Sequence, residues 1–470
     1  MPASPGIAEA IELHRSKRLP EAEVLYRALL ESNPLHQVAR LNLAQILTRT
    51  GRCEDAVRML AQLLQDTPEH PAVLKQLGVA YAASAQLKLS LSHFQRALAH
   101  APSDPDALQF VANLQQEMGM SSEAECSYRR ALALRPLVSL ASTGSAPTFR
   151  VLLLFAPGAG NTPFEYLVEN APFECHILNL LPSVDYDTDS LRERVDLVVN
   201  LVADADQAAA LLGPAIDLID RLGKPTVNDP RKIAGTDRES MALRLCSIRG
   251  CSVPQTRRHT DASLRTLEFQ LRGTAPGFPI LARPTGTHGG ERFEKLSDPS
   301  ELEAFVRQCK APAYYLTQYI DYRSDDGFFR KYRFFFVGDR IHPYHLAIDD
   351  KWKIHHATTD MANRIWMQQE EMAFLRDPQT VFRPAAYDAL RAIQKAVGLD
   401  YFGIDCALDR EGRVVVFEVN ACMLAHGRNI AFPYKAEPVR RIRDAFHTLL
   451  KRKVRLPRLI HGPHQFASRA

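Results

Sequence analysis

Gly398–Asn420 reads GLDYFGIDCALDREGRVVVFEVN. Two runs rich in β-branched and aromatic residues, Tyr401–Leu408 and Val414–Val419, flank the turn-forming Asp409-Arg410-Glu411-Gly412, which predicts a β-hairpin. Glu418 and Asn420 are two apart on one strand, so their side chains leave the same face. A turn with an even number of residues pairs Leu408 with Arg413 and Asp405 with Val416. Directly paired residues share a face, which brings Asp405, Glu418 and Asn420 together, with diagonal neighbours roughly 7–8 Å apart. Two carboxylates and an amide at that spacing suit one hard cation such as Mg2+, which takes oxygen ligands and often keeps substrate phosphates in its shell. The plainer reading is an ordinary hairpin with a solvated polar face. The upstream chain favours the metal.

Four upstream segments carry that preference. Asn228–Thr256 reads as a helix opened by Asp237-Arg238 and ending at Gly250, followed by a short strand. Phe278–Leu296 (FPILARPTGTHGGERFEKL) predicts a strand carrying Arg283, a loop Thr285-Gly286-Thr287-His288-Gly289-Gly290, and a returning strand. Glycines let backbone N–H groups close on phosphate oxygens, and an adjacent cation adds charge. Tyr314–Tyr319 predicts another strand. Lys331–Ile348 (KYRFFFVGDRIHPYHLAI) predicts an antiparallel hairpin turning at Gly338-Asp339, with phenylalanines buried on one face and Arg333 on the other.

In this order the segments resemble an ATP-grasp ligase of the RimK and glutathione-synthetase type, over roughly residues 149–450. The matching features are Asp237-Arg238, the strand and loop Arg283–Gly290, the hinge-like Gln318-Tyr319-Ile320, Tyr332-Arg333 before Val337-Gly338-Asp339, and Asp405 with Glu418-Val419-Asn420. The resemblance implies that ATP lies between two antiparallel sheets, its adenine against Gln318 and Ile320. Gly286, Gly289 and Gly290 would cover the phosphates, with Arg238 and Arg283 bound to them. Asp405, Glu418 and Asn420 would hold Mg2+ (or Mn2+). Arg283 and Arg333 would act on the transferring phosphoryl group. The implied reaction phosphorylates a carboxylate and passes the acyl-phosphate to an amine or thiol, chemistry that needs positioning and charge neutralisation more than covalent help. The chain departs from the family where two lysines are usual, at Arg238 and Arg283. It also departs after Asn420, which continues Ala421-Cys422-Met423-Leu424 rather than Ser-Pro-Gly, and across Asp349–Met361. A nucleotide sensor with an inactive ATP-grasp domain, or a kinase on the same fold, are the alternatives. His355-His356 reads chiefly as a surface or packing pair, and Cys406 and Cys422 as small buried hydrophobes.

Residues 1–138 carry a different signal. Pro34, Pro68, Pro102 and Pro136 recur every 34 residues, in step with Ala22, Ala56, Ser90 and Ala124 and with Tyr26, Leu60, Phe94 and Tyr128. This pattern resembles four tetratricopeptide repeats, each a pair of antiparallel helices. Glu9 stands where a core leucine is usual, as in a capping repeat. Four such units form a superhelix whose groove suits a peptide or protein partner, with self-association as the alternative. Residues 139–148, rich in Ser, Thr, Gly and Pro, read as a linker. Arg150–Ala156, Phe173–Leu181, Val195–Val202 and Pro225–Asn228 predict strands of a parallel α/β unit over 149–229, with a helix at Gln207–Leu222. Its loop Pro157–Thr162 sits where such sheets bind ligands but is not a full GxGxxG, and reads equally as a tight strand-to-helix turn or a substrate-facing loop. The expected fold class is therefore multidomain. An all-α superhelix precedes a pre-ATP-grasp α/β domain, an α+β ATP-grasp domain over 230–455, and a basic tail over 456–470.

The balance of 58 basic and 54 acidic residues, net +4, demands no nucleic-acid partner. Only Lys451, Arg452, Lys453, Arg455 and Arg458 cluster, as a solvated terminus. Eight cysteines without a CxxC pair suit free thiols, and no apolar run reaches membrane-spanning length, so the expectation is a cytoplasmic protein with no membrane partner.

Overall fold

The computed structural model describes residues 6–140, 142–143, 147–158, 160–182, 184–260, 263–264, 277–287, 289–354, 359–425 and 429–455. His288, His355-His356 and the tail from 456 lie outside them. The chain divides into two compact units, Met1–Val138 and Ser139–Ala470.

The first unit is eight helices: α1 (Ile7–Arg15), α2 (Leu19–Ser32), α3 (Gln37–Arg49), α4 (Cys53–Asp66), α5 (Pro71–Ala83), α6 (Leu87–His100), α7 (Pro105–Glu117) and α8 (Ser121–Leu134). The periodic residues explain the pairing. Ala22, Ala56, Ser90 and Ala124 are fully buried where helices cross, and Tyr26, Leu60, Phe94 and Tyr128 fill the space between. In the third pair the approach is so close that a Cβ on Gly78 would lie 2.6 Å from the Phe94 ring. The Ser90 hydroxyl donates to the Gly78 carbonyl at 2.7 Å, which satisfies a polar group that the crossing buries. Each even-numbered helix stops two residues before a periodic proline, which cannot continue it. In α1 only Ala10 is buried and Glu9 is exposed.

The second unit holds three sheets. The first has the order β1-β3-β2-β4-β5, from β1 (Val138–Leu140), β2 (Arg150–Phe155), β3 (Glu174–Asn179), β4 (Leu197–Asn200) and β5 (Thr226–Val227). β2 pairs in parallel with β3 and β4, and β4 with β5. The segment read as a linker is tied to this sheet. β1 forms its edge, Ser139 Oγ lies 2.9 Å from His176 Nδ1, and the backbone N–H groups of Thr143 and Thr148 donate to the Ala171 and Pro172 carbonyls, each at 3.1 Å. A fragment of residues 138–470 is therefore expected to melt cooperatively. One beginning at 148 should be less stable by about 1–2 kcal/mol, the scale of a few net hydrogen bonds. Equal denaturation midpoints for the two fragments would show that the edge strand contributes nothing.

The other two sheets enclose the site. One is antiparallel, β7-β10-β8-β9, and the other has the order β12-β11-β13-β14-β6. Their strands are β6 (Cys251–Ser252), β7 (Thr256–Thr260), β8 (Ile280–Pro284), β9 (Glu294–Leu296), β10 (Ala313–Gln318), β11 (Phe329–Val337), β12 (Arg340–Asp349), β13 (Tyr401–Leu408) and β14 (Val414–Asn420). The helix expected to reach Gly250 covers only Arg238–Leu245 and is followed by two strands, β6 and β7. The phenylalanines of β11 are not confined to one face. Phe334 packs edge-on against Phe374 and Phe382, while Phe335 joins Tyr344 and Tyr401 on the other side, because this sheet is covered on both faces. The cover on the Phe335 side is the helix Ala436–Arg455, whose Ile442, Phe446, Leu449 and Leu450 share one core with Val151 and Leu153 of the parallel sheet. Lys451–Arg455 is therefore not a loose tail. It forms the end of this helix, with Lys453 2.8 Å from Asp400 and Arg452 3.4 Å from Asp339.

Candidate functional site

The β13–β14 hairpin turns through five residues, Asp409–Arg413, because Asp409 Oδ1 accepts from the backbone N–H groups of Glu411 (3.1 Å) and Arg413 (2.8 Å). Leu408 consequently pairs with Val414 rather than Arg413, and Cys406 rather than Asp405 faces Val416. A bulge between Asp405 and Cys406 then absorbs Phe417 and sets Asp405 directly opposite Glu418, with Gly403 opposite Asn420. The shared face expected of Asp405, Glu418 and Asn420 therefore arises from a different register. The bulge brings the carboxylates closer than the diagonal spacing would.

Neither carboxylate stands alone. Arg333, cross-strand from Asp405, donates to both its oxygens at 2.6 and 2.9 Å, and Lys331 Nζ lies 3.3 Å away. Burial alone would raise the Asp405 carboxyl, but Arg333 and Lys331 outweigh it and hold it down at about 2. Glu418 takes Arg238 Nη2 at 2.7 Å, reached across 180 residues because Asp237 caps the helix that Arg238 begins. Asn420 accepts from the Cys422 N–H at 2.5 Å.

Arg283 lies on β8, opposite Tyr315 of β10, and is 9% exposed. Its guanidinium donates to the Thr287 hydroxyl at 3.2 Å and to the Thr287 carbonyl, while Glu418 and Asp206 act on it at longer range. Burial, with Arg238 adding to it, pushes its pKa down to about 10, so it remains charged at neutral pH. Gly286, Gly289 and Gly290 all have positive φ (71°, 61° and 80°), a conformation that favours glycine.

These groups surround a cleft of about 590 Å³ whose wall includes Gly160, from the Pro157–Thr162 loop of the parallel sheet. Arg238, Arg283, Gly289, Gly290, Gln318, Ile320, Arg333, Asp405, Glu418 and Asn420 all line it. Gly286 does not. Its carbonyl instead accepts from Gln207 Nε2 at 2.6 Å. Gln318 is partly committed to the wall, its N–H donating to the Gln255 carbonyl at 2.8 Å. Sequence reasoning missed Lys331, Lys353, His345, Lys435 and Asp204, which also line the cleft. Lys331 was within reach, two residues from Arg333 on one strand and so on the same face. Among the described residues, Arg238, Arg283, Lys331, Arg333, Lys353 and Lys435 face only Asp204, Asp405 and Glu418 as acidic lining. A partly desolvated cleft with that excess of cations attracts an anion.

Residues 13–78 match the tetratricopeptide-repeat family. That match lies within the first unit, where the eight helices stack. No curated protein matches the chain. Among solved structures, MamA from Desulfovibrio magneticus is 18% identical over 27% of this chain and 71% of its own, with a TM-score of 0.26. The D-alanine–D-alanine ligase of Bacillus anthracis, complexed with ATP, is 12% identical over 66% of this chain and 100% of its own, at 0.39. The VanG D-Ala:D-Ser ligase of Enterococcus faecalis is 15% identical over 63% and 99%, at 0.38. The chemistry of the cleft follows from the groups that line it.

That chemistry fits a hard divalent cation. Two carboxylates and an amide share one face of β14 and its neighbour, the oxygen donors such an ion prefers. Both carboxylates also carry an arginine, so an ion bound there would share its ligands with Arg333 and Arg238.

Proposed function

We propose that this chain is an ATP- and Mg2+-dependent ligase of the ATP-grasp type. It would join a carboxylate to an amine or a thiol through an acyl-phosphate, with its helical repeats recruiting a peptide or protein substrate or partner. The observation that carries the reading is the convergence of Arg238, Arg283, Lys331 and Arg333 on a cleft that also holds Asp405, Glu418 and Asn420. Asp405 and Glu418 offset part of that charge, and the positive excess that remains suits a polyphosphate, whose oxygens accept charge-assisted hydrogen bonds from arginine and lysine. The order of motifs favours the RimK and glutathione-synthetase type. It divides the second unit into a pre-ATP-grasp domain over 149–229 and an ATP-grasp domain over 230–455.

In this reading the adenine rests against Gln318 and Ile320, and the phosphates run under Gly289 and Gly290 towards Arg238 and Arg283. Mg2+ or Mn2+, held by Asp405, Glu418 and Asn420, supplies charge neutralisation when bound. Arg333 is fixed by Asp405, so its guanidinium faces the cleft in one orientation and can stabilise charge on the phosphoryl group in transfer. Lys331 adds a second cation on the same strand face. The eight cysteines are free thiols, and no described helix is long and apolar enough to cross a membrane; the thiols favour a cytoplasmic setting.

Hydroxylamine trapping tests the reaction. With ATP, Mg2+ and a panel of carboxylates, an acyl-phosphate yields a hydroxamate. A phosphoester that persists in hydroxylamine would mean a kinase. No turnover of ATP on any carboxylate would favour the nucleotide sensor, a reading that draws support from the engagement of both Asp405 oxygens by Arg333.

Binding tests the phosphate contacts. Arg283→Ala is expected to weaken ATP binding about ten- to a hundredfold, the scale of one or two charge-assisted hydrogen bonds, and Arg283→Lys to recover much of it. Unaltered calorimetric affinity in Arg283→Ala would place the phosphates elsewhere.

A further inference from the structure

Between the parallel sheet and the four-stranded sheet lies a contact that neither the hairpin nor the glycine loop explains. After β4 the chain makes a turn in which Asp204 Oδ1 accepts from the N–H groups of Asp206 and Gln207 at 2.8 and 2.7 Å. The turn aims the Asp206 carboxylate at β10, where the Tyr315 hydroxyl donates to it, 2.9 and 3.0 Å from its two oxygens, across 109 residues. Tyr315 is fully buried. It is the direct cross-strand partner of Arg283, so the two side chains share a face. Its ring also lies under Arg238, whose guanidinium carbon is 5.8 Å from the ring centroid.

We propose that Asp206 and Tyr315 are positioning residues that fix Arg238 and Arg283 at the spacing a polyphosphate requires. The physical chain is short. Asp206 holds the phenol in one orientation, and the hydrogen-bonded phenol presents an electron-rich face to Arg238. The same ring walls one side of Arg283, while Thr287 holds its guanidinium. Arg283 is buried and Arg238 partly so, and the two like charges repel and would spread apart without such a wall. Gln207, next in the turn, fastens the glycine loop through Gly286, so one tight turn sets both the cationic floor and the loop above it. The inference rests on reading the cleft as a polyphosphate site.

Calorimetry on the full chain with ATP, inorganic tripolyphosphate and adenosine tests it. Tyr315→Phe removes only the hydroxyl, and Asp206→Ala alters a partly exposed position, so it serves if the buried substitution fails to fold. Each is expected to weaken ATP and tripolyphosphate about tenfold, the loss of roughly one net hydrogen bond's worth of ordering, while leaving adenosine unchanged. The double variant should be no worse than either single one, since both act through one contact. Unchanged tripolyphosphate affinity, additive losses, or an equal loss for adenosine would overturn the proposal. Wild-type protein that binds tripolyphosphate but not ATP would remove the nucleotide reading alone; binding of neither would remove both.

Discussion

Glu418→Gln is expected to lower ATP turnover by several orders of magnitude while changing stability by no more than about 1 kcal/mol. The substitution keeps size and strand propensity but removes one of the two charges expected to hold the cation against the triphosphate. Arg238, which now pairs with Glu418, can still donate to an amide oxygen, so folding loses little. Asp405→Asn should cost similar activity, but it is a less clean probe. It leaves Arg333 and Lys331 without their buried counter-ion, at about 3 kcal/mol or more. The double variant should turn over scarcely more slowly than either single one, because both residues serve one cluster. Multiplying losses would indicate two separate sites. Near-normal turnover in Glu418→Gln would sink the metal assignment and the ligase reading with it.

The second large effect lies behind Lys435 and His345, which line the cleft. Glu371 is wholly buried, with Lys435 Nζ at 2.9 Å, His345 Nδ1 at 2.7 Å and the Tyr434 hydroxyl at 2.5 Å. Burial would raise its carboxyl, but His345 and Lys435 outweigh this and keep it ionised. Lys435→Met removes the lysine cation beside Glu371 and is expected to destabilise the second unit by about 3–5 kcal/mol at pH 7. The pH dependence identifies the cause. Burial, with Lys435 and Arg333 adding to it, pushes His345 down to about 4, whereas an unfolded histidine titrates near 6.5. Between those values the unfolded chain holds more protons, so wild-type stability falls as pH falls, by up to about 3 kcal/mol from this group. Without Lys435, a protonated His345 becomes the partner of Glu371 and the acid loss should shrink. Trp352 and Trp366 both lie in the second unit, so fluorescence-detected denaturation at pH 5 and pH 7 follows it directly. A Lys435→Met deficit that is equal at both pH values would refute this account.

The repeats were legible in the sequence because their determinants are local. Each helix packs mainly on its neighbours in the chain, so a 34-residue period of alanine, aromatic and proline positions encodes the contacts themselves. Most strands of the second unit, though not β1 or β7, and the clustering of Asp405, Glu418 and Asn420, followed from residue type and two-residue alternation. What alternation cannot encode is register. A single Asp409 side chain set the loop length and a single bulge reset the pairing, so the right face was reached through the wrong partners.

Charge placement was still less accessible. Arg333 meets Asp405 across 72 residues, Arg238 meets Glu418 across 180, and Lys435 meets His345 across 90. Gly286 had the backbone of a phosphate loop, yet a glutamine 79 residues earlier claimed its carbonyl. Sequence alone determined the charge and hydrogen-bonding capacity that each residue carries, and through its motifs part of the lining of the cleft. Only the tertiary structure decided which of those groups neutralise one another and which face the ligand. Electrostatic energy depends on distance and burial, and both are set by chain segments far apart in sequence.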